Sequence, residues 1–379
     1  MICNGWQKSF FDLELFRFCW FEGDDNIIFM LDDLTLSLHD GMSLDSTAIE
    51  GAIDAMVREE HSAEQKAAFL TALAKKGETV EEISGFACGL RAMAIAPPID
   101  RSLRDEAILD VCGTGGDHQN TFNISTTVAL VLAASGVTVA KHGNRAITSK
   151  SGSADVLEAL GIPVDLPPDQ AAASLHDHGF AFLFAPHYHP AFKHIVPARK
   201  LCAAQGQRTI FNFLGPLLNP VQPSAQLIGV PRPDLCSQLG QVLQSMGVER
   251  GMVVCGSVGE AGFLDELSTL GENHVAEFYQ GRGFHESSWR PDEFVQHEAK
   301  LSDLAGGDAN HNAQLVRDIL AGTLRGPKRD AVLLNSSAAL LVAGKVSSMQ
   351  EGWDKAAQTI DSGAGMETLQ ALSHQDSVV

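Results

Sequence analysis

Apolar positions along this chain recur first at helical spacing and later in short runs. Within residues 43–95, Ile49, Ile53, Met56 and Val57 fall at i, i+4, i+7 and i+8, which places one apolar stripe on one helix face. Ser62 with Gln65, and Thr79 with Glu82, have the spacing of capping boxes, so each pair predicts the start of a further helix. Gly77 directly follows Lys75 and Lys76, which suits the C-terminus of the helix between them. Residues 96–100, with Pro97 and Pro98, predict a linker. Residues 30–98 therefore read as a small helical domain.

Beyond the linker, short apolar runs alternate with helical stretches. Strands are predicted at 107–111, 138–141, 180–184, 226–230 and 251–255, and helices at 125–135, 153–160 and 235–246. The alternation predicts an α/β domain over residues 99–379, with a mainly parallel sheet flanked by helices. Ligands of such sheets sit beyond the carboxyl ends of the strands.

Composition narrows the function. The chain has 379 residues, 45% hydrophobic and 20% charged, enough for two domains with a substantial core. A formal net charge of -20 repels nucleic-acid backbones, so a phosphate ligand needs a local site and a nucleic-acid partner is not expected. Seven scattered cysteines without a CxxC pair predict free thiols in a reducing cytoplasm. No apolar run is long enough to cross a membrane. Residues 1–29 carry eight of the 25 aromatic side chains, interrupted by Asp12, Glu14 and Arg17, which does not suit a signal peptide. Translated upstream sequence ahead of a start at Met30 is expected, with a packing arm as the alternative.

Four motifs carry the chemistry. Asp110-Val-Cys-Gly113-Thr-Gly-Gly-Asp117 comes at a predicted strand, and its glycines let backbone N–H groups close on an anion. Its spacing is neither that of a Rossmann fingerprint nor that of a P-loop. Thr121-Phe-Asn123-Ile124-Ser125-Thr126 opens an apolar helix; its residue types suit N-capping, or phosphate binding at the helix N-terminus, with Ser125 as an oxygen donor to Mg²⁺. Lys141 to Ser149 and then Ser153 place cations and hydroxyls at the end of the next strand, suited to a diphosphate. Asp265-Glu266 is a carboxylate pair of the kind that holds Mg²⁺ beside substrate phosphates, although such a pair alone is usually surface charge.

The stretches GTGGD, TFNIST, KHGNRA, SKSGSAD, HPAFKHIVPAR, RTIFNFLGPLLNP and LDELS, in this order, resemble the anthranilate phosphoribosyltransferase family. The resemblance extends, more weakly, into residues 52–95, 333–335 and 361–363. It implies a helical domain that forms homodimers and a larger α/β domain of the nucleoside phosphorylase and phosphoribosyltransferase fold. It also implies transfer of a phosphoribosyl group from 5-phosphoribosyl 1-diphosphate to anthranilate, in tryptophan biosynthesis.

By the same resemblance the donor is held by Gly113, Gly116, Asp117, Thr121, Asn123, Ile124, Ser125 and Thr126. Lys141, His142, Gly143, Asn144, Arg145, Ala146, Ile147, Thr148, Ser149 and Ser153 complete that site. Ser125, Asp265 and Glu266 are implied ligands of Mg²⁺, two ions per subunit. Gly113, Asn144 and Arg199 are implied to contact anthranilate, with His142, His189 and Pro216 nearby. No covalent nucleophile is expected.

The chain departs from the family pattern at His118, where glycine is usual, and at Cys255, where histidine is common. It is also longer between Arg199 and Arg208 and before Asp265. These departures leave open a different aromatic acceptor. The rival readings are a pyrimidine-nucleoside phosphorylase, disfavoured by the KHGN segment, and a non-catalytic nucleic-acid-binding paralogue, disfavoured by net charge.

Overall fold

The computed structural model describes residues 31–146, 150–279, 283–295, 297 and 299–374. The aromatic-rich segment 1–29 and three expected donor contacts, Ile147, Thr148 and Ser149, lie outside the described residues. The chain forms two compact units, one from residues 31–93, 191–211 and 241–247 and one from the remaining described residues.

The first unit is helical: α1 Leu31–His39, α2 Ser46–Val57, α3 Ala63–Lys76 and α4 Val80–Ala92. Both capping boxes form. Gln65 N–H donates to Ser62 Oγ at 3.2 Å and Ser62 N–H to Gln65 Oε1 at 3.1 Å. The pair Thr79 and Glu82 does the same at 3.2 and 2.9 Å. Glu82 is fully buried, because its carboxylate also takes the Lys76 ammonium at 2.7 Å and the Leu44 N–H at 2.9 Å. Gly77 ends α3 at φ +89°, a backbone region that favours glycine. Ile49, Ile53 and Met56 are buried on the predicted stripe of α2. The helix Val196–Ala204 packs on α3, and the Lys66 ammonium holds the junction by donating to the Arg58 and His194 carbonyls.

The second unit is built on one eight-stranded sheet. Its strands are β1 Ile108–Gly113, β2 Thr138–Gly143, β3 Phe180–Phe184, β4 Ala225–Gly229, β5 Arg250–Ser257, β6 Phe263–Leu264, β7 Asn273–Tyr279 and β8 His285–Trp289. Their order is β3-β2-β1-β4-β5-β7-β8, with β6 paired to β5. The first five are parallel and the last three antiparallel.

One face of the sheet packs on α5 Ile124–Ala134, α6 Ser153–Ala159 and the C-terminal helices from Ala309 to Ser373. The other face packs Ile108, Ala140, Ala181 and Leu183 on α7 Pro168–His178. Burial on both faces explains why β1 is apolar at Ile108, Leu109, Val111 and Cys112, with buried Asp110 the one polar interruption. α5 is buried nearly all round because Pro327–Val342 and Ala364–Ser373 pack against it. The hairpin β7–β8 escaped the sequence pattern because its half-exposed strands mix polar with apolar residues. None of the described helices is long and apolar enough to cross a membrane.

Candidate active site

The four motifs meet at the carboxyl ends of β1 and β2. Gly113, the last residue of β1, is the register partner of Gly229 at the end of β4. The loop carrying Asp265 lies directly against both: a Cβ on Gly113 would overlap the Asp265 carboxylate, and one on Gly229 would overlap its carbonyl. Beyond Gly113 the chain turns through Gly115 and Gly116 at φ +78° and +87°. That turn aims the Gly115 N–H at Asp265 Oδ2, 2.7 Å away.

Glu266 is tied to the second motif. Its Oε1 accepts the Ser125 N–H at 3.1 Å, in the first turn of α5. Asn123 occupies the N-cap position of α5, but its side chain makes no cap hydrogen bond. Instead its Nδ2 donates to the Ser151 carbonyl at 3.3 Å and its Oδ1 accepts from Asn312 at 2.8 Å. The open end of α5 therefore presents amides to a carboxylate, and Asn123 joins the glycine-loop side to the Ser151–Ser153 turn. Ile124 and Thr126 point into the core and are only 1% exposed, so they can offer backbone amides alone.

Lys141 is 1% exposed and runs beneath this cluster. Its ammonium donates to the Val111 carbonyl at 2.6 Å and lies 3.4 Å from Ser125 Oγ. The Asp265 carboxyl is pushed well above the usual range by burial, then by Asp117 and Glu266 beside it. Glu266 is raised by burial as well, offset by Lys141 and by the Ser125 N–H. Asp117, Asp265 and Glu266 thus oppose one another's ionisation above the buried Lys141 ammonium, although no three acidic, His or Cys side chains among the described residues already have the spacing of a metal site.

The third motif is held by local bonds. Arg145 is exposed and pairs with Glu158 at 2.7 Å and Asp155 at 3.2 Å. Asp155 accepts the Ala146 and Gly152 N–H groups at 3.0 and 2.8 Å, and Ser153 Oγ donates to the Asn144 carbonyl at 3.3 Å. Thr121 forms an isolated bridge to Ala305. His118 adopts φ +58°, a left-handed conformation that favours glycine over residues with a side chain.

His142 and His189 form a buried imidazole pair, Nε2 to Nε2 at 3.2 Å, and His142 Nδ1 lies 3.1 Å from the Gly215 carbonyl. Burial pushes them down to about 3 and about 4, so both are neutral at pH 7. Pro216 is buried beside them, its carbonyl held by Gln226 at 3.0 Å. Arg199 belongs to the other unit, on the helix Val196–Ala204. Its guanidinium lies 5.3 Å from the Phe211 ring centre, and burial lowers its pKa. Among the described residues that guanidinium has no hydrogen-bond or ion-pair partner.

Residues to which the sequence reading gave no role also hold this arrangement. Buried Asp110 accepts from Asn219 at 2.9 Å and from the His142 N–H at 3.3 Å, and Asn219 also donates to the Ala140 carbonyl at 2.8 Å. Burial raises Asp110 to about 6, with Lys141 opposing the shift. Asn335 and Asn273 clamp the backbone of Leu267 and Ser268 behind the acidic pair. Their immediate neighbours give no common signal: Asp110 lies between Leu109 and Val111, whereas Asn273 lies between Glu272 and His274.

Comparison with known proteins agrees with this geometry. Residues 105–366 match the glycosyl transferase family a/b domain and residues 33–94 the helical bundle domain of the same family. The anthranilate phosphoribosyltransferase of Solibacter usitatus is 46% identical over 333 residues, covering 87% of this chain and 94% of that one. The Thermus thermophilus anthranilate phosphoribosyltransferase structure has a TM-score of 0.81 at 38% identity, over 90% of this chain and 99% of that one. The Saccharomyces cerevisiae enzyme, solved in complex with PRPP and Mg, has a TM-score of 0.80 at 27% identity, over 92% and 98% of the two chains. Fold, motif order and sequence identity over most of the chain agree: the chain belongs to the anthranilate phosphoribosyltransferase family.

Proposed function

We propose that this chain transfers the phosphoribosyl group of 5-phosphoribosyl 1-diphosphate to the amine of anthranilate, giving N-(5-phosphoribosyl)anthranilate and diphosphate. The observation that carries the reading is the convergence of Asp117, Asp265 and Glu266 on the Gly113–Gly116 turn and the first turn of α5. Family membership supplies the reaction and its place in tryptophan biosynthesis; the residue roles below are our assignment.

The carboxylate cluster fits Mg²⁺, because crowded, desolvated carboxylates whose charged form is disfavoured are relieved by a divalent cation. We assign Ser125, Asp265 and Glu266 to the metal, with two ions per subunit. Bound there, Mg²⁺ would neutralise the charge that grows on the departing diphosphate. The backbone amides of Gly113–Asp117 and of the α5 N-terminus, with Thr121, Asn123 and the segment from Lys141 to Ser153, would hold the diphosphate and ribose in place.

The arylamine of anthranilate is neutral at working pH and needs positioning more than a base. Two neutral imidazoles at His142 and His189 suit a region that binds an aromatic ring without adding charge. Gly113, Asn144 and Arg199 are assigned to the acceptor, the planar guanidinium to its carboxylate. Dimerisation is assigned to the helical domain of residues 30–98, where Leu36 and Met42 are 63% and 54% exposed.

The test is the loss of anthranilate fluorescence with purified protein, 5-phosphoribosyl 1-diphosphate and Mg²⁺, omitting each component in turn. Turnover that needs all three supports the assignment. No turnover, with the donor still binding, would assign the same donor site to a different acceptor.

A further inference from the structure

The glycine loop after β1 and the loop that leads to Asp265 are tied to each other at two points. The inner tie is the Gly115 N–H on Asp265 Oδ2 at 2.7 Å. The outer tie comes from a side chain with no role in the site so far: Gln119 Nε2 donates to the Ala261 carbonyl at 2.7 Å. Ala261 ends the short turn Gly259–Ala261, which lies between β5 and β6. That turn is closed on itself by the Gly262 N–H on the Gly259 carbonyl at 3.1 Å and the Val258 N–H on the Gly262 carbonyl at 2.9 Å. Gln119 therefore grips a constrained piece of backbone just before Asp265.

Gln119 also fixes Asp117, because its own N–H donates to Asp117 Oδ1 at 3.2 Å. Asp117 in turn lies by Asp265 and Glu266: after burial, its charge is what next opposes the ionisation of each. One residue thus holds Asp117 through its backbone and the facing loop through its side chain. The stretch between needs such ties. Gly115, Gly116, His118 and Asn120 all have positive φ, from +54° to +87°. For His118 and Asn120 that conformation is unfavourable and persists only where the surroundings hold it. The chain is anchored again where the Asn120 carbonyl accepts the Gly306 N–H at 2.9 Å.

We propose that Gln119 is a positioning residue of the donor site, holding the Gly115–Asn120 stretch in place against the Asp265 loop before Mg²⁺ and the diphosphate arrive. The proposal rests on the donor site proposed for this chain. The Gln119 amide is committed to Ala261, so its effect runs through the two loops. Binding to a stretch that is already ordered carries no further ordering cost, so releasing the tie weakens donor binding and spares the chemical step.

Two variants test this. Gln119→Met keeps the length of the side chain and removes its N–H donor; Gln119→Asn keeps the amide but falls short of Ala261. In the metal-free protein, the hydrogen-bonded Gly115 and Gln119 amides should exchange about three- to tenfold faster in both, the range of one neutral hydrogen bond. Calorimetric titration with 5-phosphoribosyl 1-diphosphate at fixed Mg²⁺ should show binding weaker by a similar factor. The saturated kcat and the anthranilate KM should stay within about twofold of the parent. If one variant does not fold, the other decides. Unchanged exchange at both amides would overturn the tie, whether or not the parent binds the donor. Faster exchange with unchanged donor affinity would overturn the positioning role. No donor binding by the parent itself would refute the donor-site reading, and this proposal with it.

Discussion

The side chain of Asn335 makes two hydrogen bonds to the backbone of Leu267: the Leu267 N–H donates to Oδ1 at 2.9 Å, and Nδ2 donates to the Leu267 carbonyl at 3.0 Å. Asn335 is fully buried, and Leu267 directly follows the Asp265-Glu266 pair. The amide therefore completes the backbone hydrogen bonding of a loop that carries two crowded carboxylates away from water. Asn335→Leu leaves both Leu267 groups without partners, at about 1–3 kcal/mol each. We expect a lowered melting temperature together with a raised Mg²⁺ requirement for turnover. An unchanged Mg²⁺ titration in a folded variant would reduce Asn335 to a packing residue.

The imidazole pair predicts a pH signature in stability. His142 and His189 are depressed to about 3 and about 4, below the ordinary value near 6.5. The unfolded chain therefore binds more protons than the folded one between pH 6.5 and 4. Their contribution is fully present above pH 6.5 and is lost as pH falls through that window. At pH 5 the loss is about 2 kcal/mol per imidazole. His189→Phe should remain closer to its pH 7 stability at pH 5 than the parent does, by roughly that amount. Parallel pH profiles in urea denaturation would contradict the buried, neutral state of the pair.

Arg199 has its guanidinium against Phe211, partly desolvated, with no acidic partner among the described residues. The assigned partner is the anthranilate carboxylate. Arg199→Ala should raise the KM for anthranilate by ten- to a hundredfold, the scale of one charge-assisted bidentate bond, about 1.5–3 kcal/mol. Affinity for 5-phosphoribosyl 1-diphosphate should stay within a factor of about two. An unchanged anthranilate KM would remove Arg199 from the acceptor site.

Local chemistry was the legible part of this sequence. Both capping boxes and the Gly77 terminus follow from residues within four positions of one another, and they formed as read. Gly113 signalled a close backbone approach, but nothing near it in the chain says that the approaching group is Asp265. Asn123 shows the limit most clearly. Its residue type suits an N-cap, yet the partners that claimed its side chain, Ser151 and Asn312, lie 28 and 189 positions away. Asn219 and Asn335 lie in stretches that carry the resemblance, but their partners were unreadable for the same reason. A buried amide is written in the sequence as one polar letter, and its meaning lies in partners that only the fold supplies.

The central claim is that Asp265 and Glu266 hold the donor through Mg²⁺. The most direct measurement is calorimetric binding of 5-phosphoribosyl 1-diphosphate at fixed Mg²⁺ to the parent chain and to the double variant Asp265→Asn, Glu266→Gln. Removing two desolvated charges should leave the fold as stable or more so, since both carboxylates are disfavoured in their charged form. Binding should be tight in the parent, lost on chelation of Mg²⁺, and at least a hundredfold weaker in the double variant. Equal, Mg²⁺-dependent binding by a well-folded double variant would contradict the claim and move the metal site elsewhere.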